Sequence, residues 1–139
     1  MSRILAIDYG KKRTGLAVTD PLKIIPNGLT TVNTKDVISF LINYVQKESV
    51  ELIVIGLPIQ MNGLPSENQQ RVRQFAVQLS KTIPSIPIVF YDERFTSKIA
   101  HQTMLDAGLT RKARRDKALV DEISATIILQ SYLDSLQIK

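Results

Sequence analysis

The side chains of this 139-residue chain whose types suggest chemistry are carboxylates, and they lie far apart along it. Asp8 closes the apolar run Ile4-Leu5-Ala6-Ile7, Asp92 and Glu93 follow a second apolar run over 86–91, and Asp121 with Glu122 opens the last amphipathic stretch. Acids from distant places, gathered on one edge, are what a hard divalent cation requires, because magnesium and manganese take oxygen ligands. Two such ions about 4 Å apart can activate a water and stabilise the leaving oxygen of a phosphodiester, so no histidine or serine base is needed. Taken singly, each acid reads equally well as a cap or an ion-pair partner. The lone His101 is given no role, and the absence of cysteine excludes disulfides, zinc-thiolate sites and thiol nucleophiles.

Continuous apolar runs of strand length belong to strands covered on both faces. Residues 4–8 read as one such strand, and residues 14–19 run back beside it as a hairpin that presents Asp8. Gly10 allows the sharp turn or a close approach to a phosphate, and Lys11, Lys12 and Arg13 fill that turn. Residues 29–32 close a three-strand antiparallel meander. Thr34 is an N-cap for a helix with Val37, Ile38, Leu41, Ile42 and Val45 on one face. A strand over 52–55, reached through that helix, is expected to lie parallel to its predecessor. A loop over 59–65 turns at Asn62-Gly63, Ser66 caps a helix carrying Val72, Phe75, Ala76 and Leu79, and a buried strand covers 86–91. Thr96 or Ser97 caps a helix through Ile99, Ala100 and Met104 that stops near Gly108, and a final helix covers 118–136. The whole, 1–139, is expected to be one α/β domain with a mixed five-stranded sheet: three antiparallel strands, then parallel crossover strands, flanked by helices.

Such sheets deliver ligands to the carboxyl ends of their parallel strands, where Asp8 and Asp92-Glu93 stand. On the last helix Asp121 shares a stripe with Ala125, Ile128 and Tyr132, which turns it towards the protein. Burying that carboxylate is costly unless a cation or donor compensates it. Glu122 lies on the flank with Leu129 and Leu133, so the wheel favours Asp121 and leaves Glu122 open as the ligand.

The net charge is +5, and Arg111, Lys112, Arg114, Arg115 and Lys117 against the single Asp116 hold most of it. That cluster reads either as a solvated connector or as the footprint of a polyanion. With 44% hydrophobic residues the chain can bury a core. It has no apolar run of membrane-spanning length and no basic-then-apolar leader, so a cytoplasmic protein without membrane contact is expected.

Asp8-Tyr9-Gly10 with Arg13 and Gly15-Leu16-Ala17, then Gly56-Leu57-Pro58 with Asn62-Gly63, then Asp92-Glu93-Arg94-Phe95-Thr96, then Val120-Asp121 with Ala125 and 128–133 together resemble the YqgF/RuvX family. The likeness runs from residue 4 to residue 133 in the family's order. It implies an RNase H-like fold related to Holliday junction resolvases, and a nuclease that matures the 5′ end of the 16S ribosomal RNA precursor during ribosome biogenesis. In that pattern the catalytic, metal-holding acids are Asp8, Glu93 and Asp121. Lys11 and Ser97 depart from residues that are more often Thr in the family.

The combined reading is a hydrolase that needs Mg2+ or Mn2+, with two ions bridged by Asp8 and completed by Glu93 and Asp121. Lys12, Arg13, Arg94, Arg111, Lys112, Arg114, Arg115 and Lys117 would bind nucleic acid, with Arg13 and Arg94 offering forked hydrogen bonds to phosphate. Arg94 could equally orient Asp92 or Glu93 as an ion-pair partner. Expected partners are structured RNA, free or within pre-ribosomal particles, or branched DNA; monomer and homodimer both stay open. One rival is a Holliday junction resolvase on branched DNA, and another is a nucleic-acid-binding module without turnover. An ATP-binding protein of the actin and sugar-kinase type needs far more chain, and no Walker loop is present.

Overall fold

A computed structural model describes residues 2–60, 62–64, 66–93 and 117–137. Its elements are β1 (Arg3–Tyr9), β2 (Arg13–Thr19), β3 (Pro26–Asn33), α1 (Val37–Lys47), β4 (Val50–Leu57), α2 (Gln69–Thr82), β5 (Ile88–Asp92) and α3 (Lys117–Gln137). The strands form one sheet in the order β3-β2-β1-β4-β5. β1, β2 and β3 are antiparallel neighbours, whereas β4 lies parallel to β1 and β5 parallel to β4. This is the expected mixed sheet.

Side chains of a strand alternate between its two faces, and both faces here are covered. Leu5, Ile7, Leu16, Val18, Ile53 and Ile55 pack in one layer with Val37 and Leu41 of α1 and Val72, Phe75 and Leu79 of α2. Ile4, Ala6, Ala17 and Val54 pack on the opposite face with Ala125, Ile128, Leu129 and Leu133 of α3. Two apolar faces explain why β1 and β4 are apolar without alternation. Small residues at Ala6 and Ala17 let α3 lie close against the sheet.

Several local expectations are corrected. Thr34 does not cap α1: residues Thr34–Asp36 form a 3-10 turn, and the helix starts at Val37 without a side-chain cap. The Thr34 hydroxyl instead donates to the Gly10 carbonyl at 2.6 Å and meets the Thr14 hydroxyl at 2.9 Å. Ser66 does not cap α2 either; it donates to the Pro58 carbonyl at 2.8 Å, and Asn68 stands at the cap position. In both places the hydroxyl is turned to a carbonyl outside the helix instead of to the helix's own N–H donors. β3 begins at Pro26, three residues before the expected strand, by extending its pairing along β2 to Thr19. β5 is not fully buried: it is the edge strand, and Phe90 is exposed. The inferred helix from Thr96 or Ser97 and the basic loop fall outside the described residues.

Candidate functional site

Alternation along β1 sends Ile4, Ala6 and therefore Asp8 to the face that α3 covers. Asp8 is paired across the sheet with Gly15. A Cβ on Gly15 would collide with the backbone carbonyl of Asp121, so the missing side chain is what lets α3 settle onto β2 at that residue. Asp121 thereby arrives beside Asp8.

The same logic places Glu93. Val89 and Tyr91 of β5 pack on the α3 side, so Glu93, two residues past Tyr91, shares their face and Asp92 does not. Its carboxylate lies over Gly56 of β4, where a Cβ would come 2.9 Å from Oε1 and 2.6 Å from Cδ1 of Ile128. Ile7 pairs with Ile55, which makes Gly56 the next position beside Asp8. Two glycines thus hollow out the floor under three acids.

The electrostatics follow from this crowding. Burial, then the charge of Asp121, raises the Asp8 carboxyl to about 6, against the lowering effect of its hydrogen bond with Glu93. Burial, then the charge of Asp8 and the hydrogen bond to it, pushes Glu93 up to about 8, with Asp92 adding a smaller repulsion. Glu93 therefore keeps its proton and donates it to ionised Asp8 near neutrality, because two buried like charges in contact do not both ionise. A pair that must share a proton when nothing else neutralises it suits a hard cation.

Asp121 is close enough to act on Asp8 electrostatically, but its own partner is Arg13, whose Nε donates to Oδ2 at 2.9 Å. Among the described residues no three acidic or histidine side chains are grouped tightly enough to hold an ion. Asp8 and Glu93 are together, and Asp121 stands beside them in an ion pair. Glu122 is directed away, with its side chain over Gly28 of β3. Of the two acids the helical wheel left open, Asp121 is the one beside Asp8.

Arg13 and the turn before it are tied down by groups the sequence did not flag. Thr34 holds Gly10, as described, and its own N–H donates to the Lys12 carbonyl at 2.9 Å. Asn68 Nδ2 donates to the Tyr9 carbonyl at 3.2 Å, anchoring the end of β1. Gly10, Lys11, Lys12, Arg13 and Asp121 line an open hollow of about 310 Å³, so two lysines and an arginine stand beside the acids. Asn62-Gly63 is accounted for as a turn: Gly63 has φ 83°, and Asn62 Oδ1 accepts the Leu64 N–H at 3.0 Å. Arg94, Arg111, Lys112, Arg114 and Arg115 lie outside the described residues, and of Lys117 only the backbone is described, as the first residue of α3.

The profile of a family described as "RuvX: Holliday junction resolvase" matches residues 2–135. The chain belongs to the RuvX family. A relative from Phocaeicola vulgatus is 65% identical over 135 residues, 97% of each chain, and carries the name "Putative pre-16S rRNA nuclease". A Porphyromonas gingivalis protein of the same name is 63% identical over 97% of this chain and 98% of its own. RuvX membership together with these names makes the chain a nuclease, a hydrolase. Among solved structures it is similar to T. thermophilus RuvC in complex with a Holliday junction substrate, with a TM-score of 0.60, 14% identity and coverage of 97% and 96%. A second Thermus thermophilus RuvC structure gives a TM-score of 0.55 at 13% identity, over 95% and 96%. The RNase H-like fold of this RuvX chain is what that likeness shows.

Proposed function

We propose that this RuvX chain cleaves phosphodiester bonds of structured RNA with divalent cations, Mg2+ or Mn2+, held by Asp8 and Glu93 and completed by Asp121 when it exchanges Arg13 for the ion, the 5′ end of the 16S ribosomal RNA precursor being its substrate. What supports this reading is the hydrogen-bonded pair of buried acids, Asp8 and Glu93, on the face where Asp121 arrives, with burial and the charges of neighbouring acids raising both carboxyls. When bound, such ions lower the pKa of water and offset charge on the leaving oxygen. The chain's own part is to give up the proton between Asp8 and Glu93, to present the acids from β1, from just past the end of β5 and from α3, and to draw a phosphate in with Lys11, Lys12 and Arg13. Arg94 and the basic stretch Arg111, Lys112, Arg114, Arg115 and Lys117 extend that attraction along the nucleic-acid backbone, which makes binding steeply salt-dependent. A single nuclease domain over 1–139, working in the cytoplasm on pre-ribosomal particles, fits this substrate; no described helix is long and apolar enough to cross a membrane.

The name shared by the relatives favours the ribosomal RNA precursor. The family description, and the junction bound by the similar RuvC, favour branched DNA as the second reading. Purified protein with Mn2+ should be offered a precursor RNA end and a four-way DNA junction side by side. Cleavage of the RNA, lost in Asp8→Asn and in excess chelator, is the expected outcome. Cleavage of the junction alone would transfer the substrate assignment to DNA, and full turnover in chelator would remove the metal.

A further inference from the structure

A second cleft joins the acidic site through Arg13. It has a volume of about 520 Å³ and lies between the edge strand β3 and α1. Asp36, Ser39, Phe40 and Asn43 line it at helical spacings of three, four and seven, so they form one stripe along α1. The opposite side of the helix carries the core residues Val37 and Leu41. Asn33, paired with Arg13 in the sheet, completes the wall. Asn33, Ser39 and Asn43 are exposed, two amides and a hydroxyl that donates to the Asp36 carbonyl at 2.9 Å, set around one aromatic ring. Phe40 is held from behind, packed on the core and stacked on Tyr44 with centroids 6.2 Å apart.

Amide side chains that both donate and accept, beside a fixed ring, are the groups that read the edge and face of an unpaired base. Among the described residues the one cation lining the cleft is Arg13, which also lines the hollow beside Asp121, and the one carboxylate is Asp36. Asn33 pairs with Arg13 and Asp36 follows three residues later, so both charges stand at the end of the cleft next to the acidic site, while Phe40 and Asn43 lie one and two turns further along α1, where an uncharged base fits. We propose that this cleft binds a single-stranded nucleotide flanking the scissile phosphate, with its base against Phe40 and its edge on Asn33 and Asn43. The proposal rests on the nuclease reading and adds a substrate preference to it: a duplex with an unpaired extension is bound better than a blunt one.

The test uses the full chain carrying Asp8→Asn, so that substrate survives, and compares by fluorescence anisotropy a blunt RNA duplex with the same duplex bearing a short single-stranded extension at either end. An extension is expected to tighten binding about tenfold, as one base stacked on an aromatic ring contributes. The double substitution Asn33→Ala and Asn43→Ala, both at exposed positions, should erase that advantage and leave blunt-duplex affinity unchanged; Phe40→Leu, which keeps apolar volume against the core, should do the same. Equal binding of both duplexes, or an advantage that survives in both variants, overturns the cleft assignment alone. Failure to bind either duplex overturns the nucleic-acid reading beneath it as well.

Discussion

Arg13 occupies a double position, with its Nε on Asp121 and the residue lining both clefts. The ion pair is partly exposed, 35% at Arg13 and 25% at Asp121, so its net contribution to folding is about 1 kcal/mol or less. Arg13→Ala should therefore leave the unfolding midpoint nearly unchanged while lowering kcat/KM by tenfold or more. Arg13→Lys should recover part of the affinity for nucleic acid but little of the rate, because an ammonium cannot offer the planar fork that holds Asp121 and a phosphate together. Urea unfolding and steady-state cleavage on the same preparations separate the two effects. The placing of Asp8 at a strand's end can be read from chain position, while the helical wheel only favours Asp121 and the structure is what turns Glu122 to Gly28. Glu93 over Asp92 came from family resemblance, although alternation along β5 carries the same information once the α3 side is known.

Among the elements, α3 is the one whose seating makes or breaks the site. It lies across β1, β2 and β3, and its backbone at Asp121 touches Gly15. Gly15→Ala should push the helix off the strand, costing about 1–3 kcal/mol through overpacking and lowering activity with it. Gly56→Ala meets the end of Ile128 and the Glu93 carboxylate, both parts of side chains that can swing aside. It should cost less stability and proportionately more activity, by displacing Glu93 from Asp8. Thermal unfolding and cleavage rates of the two variants give opposite rankings if this holds. The glycines were visible as motif residues, but their reason for being glycine was not, since what each one touches comes from a helix or strand far along the chain. For the same reason Thr34 and Ser66 were misread as caps: their hydroxyls serve the carbonyls of Gly10 and Pro58.

For the molecule as a whole, the raised acids tie stability to pH. Asp8 and Glu93 hold their protons more tightly when folded than their ordinary values of 3.8 and 4.5, at about 6 and about 8. Their contribution to folding is fully present below those ordinary values and is lost as pH rises through the folded ones. Metal-free protein should therefore melt at progressively lower temperature between about pH 4 and pH 8. Mn2+ should raise the midpoint far more at pH 8 than at pH 5, because at low pH it must displace protons from both carboxyls. Melting curves with chelator and with Mn2+ at several pH values check this, and a midpoint in chelator that rises with pH would contradict it. Asp8→Asn, which removes one of the two buried charges, should flatten the dependence.

The order of elements, the mixed sheet, the two apolar strands that end in acids, and the helix face bearing Asp121 are all legible in the chain. Each follows from short-range periodicity: two residues for a strand, between three and four for a helix. Folding alone settled that Glu93 shares a proton with Asp8, that Asp121 leans on Arg13 and that Glu122 turns to Gly28. Those outcomes depend on contacts between segments more than eighty residues apart, and no local pattern carries the distance between two such side chains.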